Sequence, residues 1–395
     1  MQLKFFIFLC TILLCRVAIA QNENRYNYNG CTTGQYDSAK YMLNAKAFLA
    51  QKKLEANRTV NGLESFTSPY LIKCFIRIFR NTNQTEQAVT IAEARQNFDE
   101  MAVQFSAHDI CFQLVGIDFI DDDYGNTMPY DTLLDTDYKN YLSTKRATGC
   151  FTIFIHNQFV NSGSSGNAYG IPNDFVSIAR WAAVRPNGAN VQSIFAHEVG
   201  HGLGLYHTFQ RQFYTNYTSK GEQVTRNSAN SCYSCEGFGD LCCDTPADYD
   251  GSKGFVNGSC VYTGTRKDTC GPTTYAPSTI NIMSYMPWSC ISATSTGFTA
   301  DQQIRMHATI NDNTSPIFFK ISPDVNLFGY NGTIPSGFYI VAARNSLTNT
   351  GTGDYSGSSK VYLSVTNSGS ITVGPGIRFR PSTNGISVLS IATCN

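Results

Sequence analysis

The chain lacks an excess of charge of either sign. Lys+Arg and Asp+Glu number 29 each in 395 residues, and charged residues make up only 15% of the whole. Such a balance offers no basic stripe for nucleic acid or for an anionic membrane surface, and no RNA-binding aromatic motif is present. Nucleic acid is therefore excluded as an expected partner. Long apolar runs are also missing. After the first twenty residues none reaches the roughly 18 that suggest a membrane-spanning helix, so the mature chain is expected to carry no membrane anchor. Histidine is scarce, with six in all. Residues 315–395 contain no Glu, Gln, His, Met or Trp, and that end holds no catalytic cluster.

What is present begins with "MQLKFFIFLCTILLCRVAIA". Lys4 supplies a positive start, Phe5 to Cys15 an apolar run too short to span a bilayer, and Ala18-Ile19-Ala20 a small-residue cleavage site. Residues 1–20 read as a signal peptide, which predicts a secreted, extracellular protein. Six N-x-[ST] sequons, at Asn57, Asn83, Asn216, Asn257, Asn313 and Asn331, agree with a glycoprotein. Of the fourteen cysteines, removal of Cys10 and Cys15 with the signal leaves twelve, expected to be mostly disulfides in an oxidising compartment.

The pattern then divides the chain. Residues 21–66 are polar, with one expected helix over 37–56, and read as a pro-segment. From Tyr70, "YLIKCFIRIF" alternates as a strand, "IAEARQNFDEMAVQFSAHDI" places Ala94, Phe98, Met101 and Phe105 at helical spacing, and "CFQLVGIDFI" and "FTIFIHNQFV" read as further strands. "NSGSSGNAYG" reads as a loop. Residues 208–280 show little periodicity and read as an irregular segment pinned by disulfides. "FTADQQIRMHATI" is a late helix with Thr299 as its N-cap. Short alternating segments separated by Gly, Asn and Ser make residues 315–395 an all-β module.

Half of the histidines fall in "AHEVGHGLGLYHTF". On a helix, His197 and His201 stand at i and i+4 on one face and can aim at one centre. Glu198, one step round, can reach a water on that centre. Gly204 can take a positive φ, end the helix and return His207 to the same point. Three neutral imidazoles with one open position form the ligand set of a catalytic zinc. Zinc would acidify a bound water, and Glu198 would carry its proton to the leaving amine. By composition the eleven-residue pattern arises by chance on the order of once in 10⁵ chains of this size.

With "NIMSYM" downstream, the motif resembles the metzincin metallopeptidases. The resemblance implies that Met283 packs beneath the metal and that Tyr285 stabilises the tetrahedral intermediate. The ordered set "YHTF", "EQVTR", "GDLCCDTPAD" and "FTADQQIRM" is similar to the pappalysin branch, covering roughly residues 67–312. It implies an α/β (α+β) metzincin-like catalytic domain, here placed over 67–314. Its parts are a twisted, mostly parallel sheet, an active-site helix, an irregular lower subdomain and a substrate cleft between, followed by the small all-β C-terminal module. Protein or peptide substrates are implied.

The same resemblance implies a structural calcium in the segment that holds Asp240, Asp244 and Thr245, whose hard oxygens suit Ca²⁺; a capped, Pro-terminated turn is the alternative. It also implies a disulfide Cys260–Cys290, and one joining Cys270 to Cys242 or Cys243. Cys232-x-x-Cys235 reads as disulfide cysteines rather than half of a second zinc site. Cys31, in "NGCTTG", is a candidate latency switch, although Asn29 and Thr32 replace the Arg and Gly usual around such a cysteine; a disulfide is the alternative. After Tyr285 the stretch Met286-Pro287-Trp288-Ser289 holds no acid, so an apolar pocket is expected rather than one for basic side chains. The C-terminal run "GSITVGPGIRF" is similar to short β-coil tails of some secreted bacterial hydrolases and suggests attachment to a surface or substrate, or a stability cap. The leading expectation is a secreted zinc metalloendopeptidase. The competing ones are a non-enzymatic adhesion or binding protein on the same fold, and a zinc hydrolase acting on other bonds.

Overall fold

The stretch "YLIKCFIRIF" forms a strand buried on both faces, β2 (Tyr70–Arg80), because apolar side chains occupy both of its alternating sets. The structure, a computed structural model, describes residues 30–31, 69–129, 135–160, 164–183, 193–210, 222–249, 251–291, 297–328, 338–357, 360–366, 368–375, 377–381 and 386–392. The expected signal peptide and the helix over 37–56 lie outside them.

Around β2 a six-stranded sheet has the order β1-β7-β8-β5-β2-β3. The partners are β1 (Gly30–Cys31), β3 (Ile110–Asp121), β5 (Phe151–His156), β7 (Ser164–Asn167) and β8 (Phe175–Ala179). All pairings are parallel except β7 with β8. This is the mixed α/β, mostly parallel architecture expected. Two details differ. "FTIFIHNQFV" is two strands, β5 and β6 (Gln158–Val160), the latter paired with β4 (Thr127–Pro129), because Asn157 turns its N–H to Asn126 O and its amide to Glu86. "NSGSSGNAYG" is only partly a loop, since Ser164–Asn167 forms the antiparallel strand beside β8.

Helix α1 (Ile91–Ser106) starts at a capping box in which Thr90 and Glu93 satisfy each other's backbone N–H. Its Ala94, Phe98, Met101 and Phe105 bury against one sheet face together with Ile72, Ile76, Phe112 and Ile153. Each fully buried side chain of this kind contributes roughly 1.5–3 kcal/mol. Helix α2 (Asp135–Lys145) covers part of the opposite face through Tyr138 and Leu142. Helix α3 (Ser193–Gly202) lies on the α1 side, and α4 (Ala300–Asn311) begins at Thr299, whose hydroxyl accepts from Gln302 N.

The described residues between Val325 and Ala392 form three stacked coils of parallel strand. Strand β9 (Val325–Phe328) pairs with β11 (Ser346–Asn349), and β11 with β14 (Ser370–Val373). Strand β10 (Phe338–Ala342) pairs with β13 (Lys360–Thr366), and β13 with β16 (Ile386–Ala392). Strand β12 (Asp354–Gly357) pairs with β15 (Arg378–Pro381). The module is bound to the six-stranded sheet. Tyr362 and Ala342 share a buried cluster with Phe75, Val115 and Cys150. Lys360 bonds Asp118, and Gln113 donates to Ala343 O and Ser364.

The cysteine pairing departs from expectation. Cys270 joins Cys232, not Cys242 or Cys243. Asp268 and Thr269 bond the 223–224 segment and so lay this stretch beside Cys232. Cys243 turns to Cys235, Cα–Cα 5.1 Å, while Cys242 stays a buried thiol bonded to Asp240 O. Cys232 and Cys235 thus belong to separate disulfides, and Cys260 is bonded to Cys290. Cys74 and Cys150 are also free. The register sets Cys74 opposite Phe151, so the two thiols bury on opposite faces of the sheet, and burial pushes both pKa values up, Cys150 to about 12.

Candidate metal centre

Helix α3 ends because Gly204 takes φ +96°. Leu205 N then bonds Gly200 O and Gly204 N bonds His201 O, the paired closure of a left-handed cap. A side chain at Gly204 would run into Thr309 Oγ1 as well as strain the backbone. Buried Arg305 on α4 donates to Gly204 O at 2.6 Å and lies over the Tyr206 ring, holding the turn from behind.

The turn brings His207 back to the helix. The Nε2 atoms of His197, His201 and His207 lie 3.0–3.2 Å from one another, and all three rings are buried. His197 Nδ1 meets Ile282 O at 2.7 Å and His201 Nδ1 meets Leu205 O at 2.8 Å. A carbonyl oxygen only accepts, so these Nδ1 atoms carry the proton and each Nε2 presents a lone pair inward. His207 bonds Gln210. Burial holds His197 at a pKa of about 4, and burial plus the neighbouring imidazoles holds His201 and His207 well below the usual range. Neutral nitrogens about 3 Å apart repel unless a cation lies between them, and nitrogens 2.0–2.1 Å from one zinc ion span such a triangle. Among the described residues this is the one cluster of three or more His, Cys, Asp or Glu side chains able to grip an ion.

Glu198 is fully buried against the backbone of Gly166 on β7. Met283 is buried beneath α3, where a Cβ on Gly200 would come within 2.7 Å of its Sδ. Its carbonyl accepts from Thr208 N, so the methionine turn and the end of the histidine motif are tied together. Asn281 bonds Met283 N and, through Gln302, connects the turn to α4 and to Asp240. Half-buried Tyr285 has its ring 4.8 Å from that of His207 and 6.0 Å from that of His197.

Asp240, Asp244 and Thr245 serve the start of α4. Asp240 accepts from Cys242 N and Gln302, Asp244 accepts from Asp301 N, and Thr245 Oγ1 meets Thr299 Oγ1 at 3.4 Å. The side chain of Cys31 lies outside the described residues, although its strand pairs with Ser164 and Gly166. The sequence reading did not single out Phe209. Its ring stacks on His207 at 4.8 Å and 11°, and contacts Tyr285 at 4.6 Å. Arg305 was missed too; the available signal was a polar Gln302-x-x-Arg305 pair beside Met306 on the inward face of a helix.

The sheet is mostly parallel, and its antiparallel strand, β7, lies against the histidine helix at Gly166 and Glu198. In sequence, the model of metallo-peptidase family M12B, reprolysin-like, matches residues 84–208. The chain is similar to an extracellular metalloprotease of Verticillium alfalfae, 26% identical over 291 residues, covering 71% of this chain and 88% of the relative. Among solved structures it is similar to a promirolysin mutant of Tannerella forsythia at 16% identity and TM-score 0.43, covering 70% of this chain and 95% of the other. It is also similar to metalloproteinase-II of Bacteroides fragilis at 15% identity and TM-score 0.27, covering 40% and 49%. No helix among the described residues is long and apolar enough to cross a membrane.

Because Phe209 braces the third histidine, Phe209→Ala should weaken zinc retention about tenfold with little change in melting temperature. Titration with a competing chelator measures this, and unchanged affinity would remove the bracing role.

Proposed function

We propose that the protein is a secreted zinc endopeptidase of the pappalysin branch. The observation that carries this reading is the convergence of three Nε2 atoms, with His197 and His201 committing Nδ1 to backbone carbonyls and His207 bonded to Gln210. His197, His201 and His207 would hold the ion, which when bound supplies Lewis acidity toward a water and a scissile carbonyl. Glu198 takes the proton of the attacking water and delivers it to the departing amine. Its burial strengthens both interactions by excluding competing solvent. Tyr285, at the edge of the histidine cluster, donates its hydroxyl to the oxyanion that develops on the substrate carbonyl. Proteins are the substrates, as in the named activity of the Verticillium relative.

The proposed organisation is a signal peptide over 1–20, a pro-segment over 21–66, the peptidase over 67–314 and the β module over 315–395. Secretion is supported by the extracellular relative and by disulfides in residues 232–290, which persist in oxidising compartments. The contacts of Tyr362, Lys360 and Gln113 favour a capping role for the β module over attachment to a surface. For latency, the pro-segment strand Gly30–Cys31 lies against the sheet edge that touches Glu198, and the Cys31 thiolate is proposed to block the open metal position.

Calcium is proposed at Asp240, Asp244 and Thr245. Support comes from charge. Burial raises the Asp240 pKa to about 7, and burial with repulsion from Asp240 raises that of Glu222 well above the usual range. A divalent cation would neutralise this buried excess.

Glu198→Ala should retain stoichiometric zinc while casein hydrolysis falls by about 10³-fold or more; retained turnover would remove Glu198 from the mechanism. Without a cation, Asp240 favours the proton in the folded state. Its contribution is present at low pH and is lost as pH rises through about 7. Added Ca²⁺ should therefore raise the melting temperature more at pH above 7 than below it, and an equal or absent effect counts against the ion. Cys31→Ala should raise the activity of the unprocessed form, whereas unchanged activity would end the thiolate proposal.

A further inference from the structure

We propose that Lys253 sets specificity, its ammonium selecting peptide substrates that carry a carboxylate side chain beside the scissile bond. The inference rests on the peptidase reading and adds a substrate preference to it.

Lys253 lies in a 3₁₀ turn, Ser252–Phe255, that follows Gly251 at φ +92°. The turn is fixed from below. Ser252 is buried and its N–H bonds Tyr249 O at 3.1 Å. Tyr249 in turn packs on Tyr275 and bonds the Tyr262 hydroxyl at 2.8 Å. The backbone of Lys253 is therefore held, and only the four-carbon stem can move. Its Nζ stands 5.9 Å from the centre of the Tyr285 ring, on the tyrosine that flanks His207. The cation is thus one ring away from the metal ligands.

No ion-pair partner for Lys253 occurs among the described residues, while Asp248 and Asp268 nearby are engaged. Asp248 accepts from Thr208 Oγ1 and Tyr249 N, and Asp268 accepts from Val224 N and Cys270 N. An ammonium without an ion-pair partner beside the histidine cluster draws in carboxylates and repels substrate cations. Lysine is a compact point charge on a flexible stem and does not demand the two-pronged geometry of a guanidinium. Asp and Glu should therefore both be accepted, and Lys and Arg disfavoured.

The sequence expectation of an apolar pocket was drawn from Met286-Pro287-Trp288-Ser289. Met286 is fully buried, and the charge proposed to meet the substrate belongs to a residue 32 positions before Tyr285. A different role for Lys253, polarising the Tyr285 hydroxyl, would affect every substrate alike, and that difference separates the two.

The test uses the purified, processed, zinc-loaded enzyme on peptides of one sequence. They vary only by Glu, Gln or Lys at each position flanking the cleaved bond. For one of these positions, kcat/KM for Glu should exceed that for Lys about fivefold, as for a solvent-exposed ion pair, and the ratio should shrink at about 0.5 M salt. Lys253→Gln should bring the ratio near one, and Lys253→Glu should invert it. Zinc content and melting temperature are measured for each variant to confirm folding. A ratio unchanged by both substitutions, or an equal loss on all three peptides, overturns the inference. If zinc-loaded wild type cleaves no peptide at all, the peptidase reading falls and the specificity role falls with it.

Discussion

The site depends on the direction of two protons. His197 and His201 each commit an Nδ1–H to a backbone carbonyl, one on the methionine turn and one just past the glycine turn. That commitment fixes the tautomer and aims the remaining lone pairs at a common point. Buried imidazoles this close are unfavourable neighbours if any of them is charged, and burial keeps them neutral. The protein thus stores an arrangement that a divalent cation completes, and the surrounding bonds exist to keep the two carbonyls in place.

Those supports come from distant parts of the chain. Ile282 O is located by the turn at Asn281, Asn281 is bonded by Gln302, and Gln302 is also bonded to Asp240. Leu205 O is located by the cap at Gly204, whose own carbonyl is gripped by Arg305. Helix α4 therefore serves both ends of the centre from one face. The disulfide-pinned segment before it is irregular because its residues are spent on side-chain bonds to that helix and on turns, not on a ladder of their own. Its buried acids are the cost of the arrangement: Glu222 and Asp240 sit together with Arg226 and Arg305 as nearby positive groups.

The sequence was most legible where the governing spacing is short. Alternation marked β2, β3 and β5, and helical spacing of Ala94, Phe98, Met101 and Phe105 marked α1. The three histidines declared themselves because four and six residues of separation bring them to one point once a glycine turns the chain. Strand β7 was not legible: Ser-Ser-Gly-Asn has no apolar alternation, and its strand form comes from the edge that β8 offers. Helix α2, with Tyr138 and Leu142 as its buried apolar residues among many polar ones, gave little pattern to read. Met283 and Tyr285 could be named only by resemblance. Adjacent Cys242 and Cys243 could not be assigned partners, since which of two neighbouring thiols faces outward depends on turns set by tertiary bonds. Phe209, Arg305 and Lys253 acquire their positions from contacts far along the chain, which periodicity does not record.

The cluster that joins Phe75 and Val115 to Ala342 and Tyr362 has a consequence for biogenesis. The sheet contains β2 and β3, yet part of its surface is closed by β10 and β13, much later in the chain. That surface can leave water only after the later coils have been made, and long-range closure of this kind is slow relative to local helix formation. Burial of this face is thereby coupled to the β module: a polypeptide cut before Phe338 would keep an open apolar flank around Phe75 and Val115.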